Sequence, residues 1–167
     1  MKSLAVLVLA GTMAVVPISA ANAAGSNSIA SGTVRENLGS PAADWTVTFD
    51  IVHGLGQGHH SLVSITQGSG GPTSTFAGTV CSGTYTDPVL GGTDVYAIGP
   101  VVSGNEIYGT PYEAYVVHEG GSLGADYSWS IPQSLPDLAS AQSFCTTITS
   151  ITPAFQVDSS SNLVFHK

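Results

Sequence analysis

The chain has 167 residues, 8% charged and 43% hydrophobic, with 11 acidic residues against 3 Lys and Arg and a formal charge of −8. So few cations exclude nucleic acid, which is held largely by Lys and Arg on phosphates, and anionic membrane surfaces, which attract polybasic segments. Ample Val, Ile, Leu, Phe and Tyr with little charge is the opposite of a disordered composition, and the length suits one domain able to bury a core.

The first two dozen residues read as an address. Lys2 is followed by residues 4–16, which carry no charge, then by Pro17 and by Ala21-Asn22-Ala23. A positive start, an apolar stretch of this length and small residues at the end form a secretory signal peptide over 1–23, cleaved after Ala23, with Ala20 as the alternative. The competing reading is an uncleaved anchor, but no basic stop signal follows. The protein is therefore expected to be secreted and extracellular. Loss of Lys2 leaves Arg35 and Lys167 as the only Lys or Arg and takes the formal charge from −8 to −9. Residues 24–32 are small and polar and read as a flexible tail, and 33–167 as a single domain.

Strand signals follow in order. Residues 44–55 alternate, with Trp45, Val47, Phe49 and Ile51 on one face and Thr46, Thr48 and Asp50 on the other. Shorter strands are expected over 61–66, 75–80, 95–98 and 107–108, separated by Gly and Pro clusters such as Gly68-Ser69-Gly70-Gly71-Pro72. Residues 112–119 alternate again, and 120–124 form a turn into a strand over 127–131, so this pair reads as a hairpin. A short helix is expected over 136–142, where Pro136 and Asp137 suit a first turn. The Thr-rich stretch 144–151 reads as a strand, and 155–157 and 163–165 read as a closing hairpin. About nine short strands without βαβ alternation predict an all-β fold, an antiparallel β-sandwich with a β-barrel as the alternative.

Cys81 and Cys145 are the two cysteines, and an even count in an oxidising compartment predicts one disulfide. It would be structural, since the chain has no Cys-x-x-Cys pair. No Asn-x-Ser/Thr sequon occurs after residue 23, so N-glycosylation is not expected.

Four constellations could carry chemistry. His53, His59 and His60 flank a glycine-rich turn, and with His118 or Glu119 from another turn they offer a Zn or Cu site; the plainer reading is a His-rich surface turn. Residues 120–124 match G-x-S-x-G, but the helix that a hydrolase places after its nucleophilic serine is missing. Glu106, Glu113 and Glu119 lie in one strand region, where a glycosidase-like pair would need a partner such as Asp50 or Asp94 from a neighbouring strand. Tyr112, Tyr115, Tyr127 and Trp129 cluster on the 112–131 hairpin, with Tyr115 and Trp129 expected on one face as a stacking platform for a ligand. No catalytic set stands out from its structural explanation. The sequence therefore predicts a non-enzymatic, acidic binding protein whose polar surface meets an extracellular protein or glycan. An extracellular hydrolase and a His-based metal-binding protein are the alternatives.

Overall fold

The computed structural model describes residues 28–36, 44–53, 61–68, 70–77, 79–105, 109–120, 127–153, 155–157 and 161–166. They form ten strands and one α-helix: β1 (Ser28–Glu36), β2 (Trp45–Val52), β3 (Leu62–Gln67), β4 (Thr73–Ala77), β5 (Cys81–Thr86), β6 (Thr93–Asn105), β7 (Tyr112–Glu119), β8 (Tyr127–Leu135), α1 (Leu138–Cys145), a 3₁₀ turn (Ile148–Ser150), β9 (Phe155–Gln156) and β10 (Asn162–Phe165). The fold is all-β and antiparallel, as the alternation predicts. The expected two-sheet sandwich is replaced by one continuous curled sheet in the order β10-β1-β2-β3-β4-β6-β7-β8-β9, with β5 also pairing β6.

A partner exchange along β6 keeps the sheet continuous. Its first half pairs β5, from Thr86↔Thr93 to Cys81↔Ile98, and its second half pairs β4, at Phe76↔Val101 and Ser74↔Asn105. Gly99 and Pro100 lie at the exchange, where Pro is tolerated because a ladder bond is already interrupted. The curl brings the ladder's ends together: Glu36 bridges Val157 just past β9, and Ser128 on β8 donates to Glu36 Oε1 at 3.0 Å.

Two cores result. The concave side encloses Val34, Val47, Phe49, Ile51, Val63, Ile65, Phe76, Val95, Tyr115 and Val117, with the Phe49 and Tyr115 rings 5.2 Å apart. The convex side of the second half packs Ile98, Ala114, Val116 and Leu135 against Ala141 and Ile148 of the helical segment. The Cys81–Cys145 disulfide fastens this layer to β5 across a Cα separation of 6.2 Å. Closing a 64-residue loop is worth about 4 kcal/mol on the chain-entropy argument.

Several expectations are corrected. Residues 28–32 of the proposed tail belong to β1, because Ala30 and Val34 are needed in the core. Residues 144–150 form the end of α1, a turn and the 3₁₀ turn rather than a strand: Asp137 caps the helix at Ser140 N, and the hydroxyls of Thr146, Thr147 and Ser150 bond carbonyls three residues back. Residues 155–157 and 163–165 do not pair with each other; β9 joins β8, and β10 joins β1. The β1–β10 approach is tight at Gly32, where a Cβ would sit 1.9 Å from the Asn162 carbonyl oxygen. The strand expected over 107–108 lies outside the described residues.

Candidate functional site

Two regions concentrate polar side chains. The first is the outward face of β1–β4, where alternation sends Phe49 and Val47 inward and hydroxyls outward. Antiparallel register aligns these hydroxyls, with the Asn162 amide at one end, into a row, Asn162–Thr33–Thr48–Ser64–Thr75–Ser103, crossing from β10 to β6. A second row, Arg35–Thr46–Thr66–Thr73, runs beside it. Thr33 and Thr48 share a hydrogen bond at 3.2 Å, and Ser64–Thr75 and Thr66–Thr73 each share one at 3.0 Å. Successive strands place these groups about 4.8 Å apart, and the rows repeat every ~6.7 Å along a strand. Exposed Leu62 and Val164 border the array.

The second region lies on the convex side of β5–β7 and is buried. Register sets Tyr85 opposite Asp94, and Asp94 opposite His118. His118 Nδ1 is 2.6 Å from Asp94 Oδ1, and its Nε2 is 2.6 Å from the Gly120 carbonyl oxygen. A carbonyl only accepts, so Nε2 carries a hydrogen, and the short Nδ1–Asp94 contact requires one more proton between those two atoms. Asp87, just past β5, accepts from Val89 N at 2.7 Å, Leu90 N at 2.5 Å and Thr152 Oγ1 at 3.4 Å, tying the β5–β6 turn to the chain after the 3₁₀ turn. Asp87 Oδ2 and Asp94 Oδ2 meet no donor.

Burial and hydrogen bonding act against each other on the two carboxyls of this group. Burial raises Asp94 to about 6, against the lowering effect of His118. Burial also works to raise Asp87, but the N–H groups of Leu90 and Val89 outweigh it and hold the carboxyl below its ordinary value. Tyr85 is raised, first by burial and then by Asp94, and its hydroxyl donates to the Ile151 carbonyl at 2.5 Å.

The residues expected to act together fall into different places. His53 is exposed just past β2, His59 and His60 lie outside the described residues, and His118 is buried against Asp94. Among the described residues His53 and His118 share no metal-sized cluster; the group that does form is Asp87, Asp94 and His118. Tyr115 is fully buried against Phe49, so it offers no exposed ring for stacking, and Tyr112 is half-buried. Register sets Trp129 opposite Val116 and Tyr127 opposite His118, whereas Tyr115 stands opposite Ser130, so the expected pairing of Tyr115 with Trp129 does not occur. The side chains of Tyr127 and Trp129 lie outside the described residues, as do residues 121–126 of the G-x-S-x-G stretch and Glu106.

Among the described residues, Glu113 and Glu119 do not meet Asp94 as the expected glycosidase-like pair would require. Glu113 lies on the parity of Tyr115 and Val117, facing the concave core, where Ser74 donates to its Oε1 and burial raises its carboxyl. Asp94 faces the convex side, and Glu119 is exposed.

No protein-family model, curated protein or solved structure matches the chain. Among the described residues, no helix is long and apolar enough to cross a membrane.

Proposed function

We propose that the chain is a secreted, non-enzymatic binding domain that takes a neutral glycan on the hydroxyl face of β1–β4. The alignment of Asn162, Thr33, Thr48, Ser64, Thr75 and Ser103 across the sheet carries this reading. Hydroxyls donate and accept, as sugar hydroxyls do, and the bordering Leu62 and Val164 suit the apolar C–H faces of a sugar ring. Charge favours a neutral ligand over a polyanion, because the chain has 3 Lys and Arg against 11 acids. The disulfide agrees with an oxidising compartment.

Retention on insoluble cellulose, chitin and β-1,3-glucan tests the proposal. The wild-type protein should be retained on one of them at physiological salt, and Thr48→Lys with Ser64→Glu should lower retention at least tenfold without altering the circular dichroism. Absence of retention on all three, or unchanged retention by the double variant, would overturn it.

A further inference from the structure

We propose that Asp87, Asp94 and His118 hold a divalent cation of the zinc class, a structural centre fastening the β5–β6 turn to β7 and to the segment after the 3₁₀ turn. This inference is independent of the glycan reading and uses different residues.

Geometry comes first. One donor atom from each of the three residues lies within 4.8 Å of the other two, a separation one ion can span. All three residues are buried, at 3%, 0% and 0% relative exposure. Within this site Asp87 Oδ2 and Asp94 Oδ2 have no hydrogen-bond donor. The two buried carboxyls also face each other closely enough to interact directly, and a cation between them would satisfy both at once.

The surroundings prepare the histidine as a ligand. Its Nε2–H is fixed on the Gly120 carbonyl, the outer contact that orients metal-bound imidazoles, which turns Nδ1 toward Asp94. Asp87 is likewise oriented, since Val89 N and Leu90 N hold Oδ1 and leave Oδ2 available. Tyr85 and Thr152 border the group, the first donating to the Ile151 carbonyl and the second to Asp87 Oδ1.

Charge balance points the same way. The guanidinium of Arg35 lies 3.0 Å from Asp44, on the other half of the sheet. Two carboxylates and one divalent ion sum to neutrality. On loading, the cation displaces the proton between His118 Nδ1 and Asp94 Oδ1, which leaves to solvent. One imidazole with two carboxylates suits zinc better than calcium or magnesium, which prefer oxygen alone, and the site has no thiolate to select Cu(I).

Purified protein stripped with EDTA is titrated separately with ZnCl₂ and CaCl₂, with retained metal measured after desalting and the thermal midpoint recorded. One zinc per chain should be retained, the midpoint should rise, and calcium should do neither. Asp87→Asn keeps an oxygen for Val89 N and Leu90 N, and should lower zinc affinity at least about tenfold. His53→Ala should bind as wild type. No retained zinc, equal retention by Asp87→Asn, loss of zinc in His53→Ala, or preference for calcium would each overturn the proposal. If Asp87→Asn fails to fold, X-ray absorption of the zinc-loaded wild type decides: one imidazole among oxygen donors supports the site, and two or more imidazoles refute it.

Discussion

β2 and β7 are both eight-residue strands in one sheet, yet they meet opposite surroundings. β2 is buried at Val47, Phe49 and Ile51 and open to solvent at Thr46, whereas β7 is buried at every position from Glu113 to His118. The difference is one layer: β1–β4 face solvent outward, while α1 and the 3₁₀ turn cover the outward side of β5–β8. A one-sided half can present a surface. A two-sided half must satisfy its polar groups internally, and there Asp94, Glu113 and His118 become buried chemistry.

The sharpest way to break this contrast is to truncate one residue in each half. Ile98→Ala, on the covered outward side of β6, should cost about 2–5 kcal/mol in urea unfolding. Thr48→Ala, on the open face, should stay within about 0.5 kcal/mol. Comparable costs would mean that the two halves are not differently constrained.

A smaller effect should appear with pH. Burial raises Asp94 from 3.8 to about 6 and moves Glu113 in the same direction, so the folded state binds protons more tightly than the unfolded chain does. The contribution of each acid is fully present below its ordinary value and is lost as pH rises through its raised folded-state value, about 6 for Asp94. Asp87, held below its ordinary value, opposes them in part. The urea midpoint of EDTA-treated protein should therefore fall between pH 4 and pH 7, and Asp94→Asn should shrink that fall; a rise would contradict the assignment.

The same contrast explains what was legible in the sequence. β2 could be read because one face meets water, so period-two alternation survives. The bounds of β7 could also be read, from its alternation, but the surroundings of its residues could not. With both faces covered, parity no longer separates inside from outside, and Tyr115 passes for a surface ring. The sequence does not announce β5, because Cys81-Ser82-Gly83 lacks β-branched residues; a Cβ at Gly83 would come within 3.2 Å of Tyr96 Oη. The Asp94–His118 contact spans 24 positions and depends on the register of β6 and β7, which no local pattern encodes. Asp87 left one usable signal: an acid followed by Pro88 and by Gly91-Gly92 is a turn whose side chain bonds its own backbone.

Hydrogen exchange resolved by peptide, with and without the glycan that retains the protein, tests the division between presenting and structural halves most directly. Added protection should appear on β1–β4, while β7 stays slowest to exchange and unchanged. Protection confined to β5–β8, or β7 exchanging as fast as β2, would contradict it.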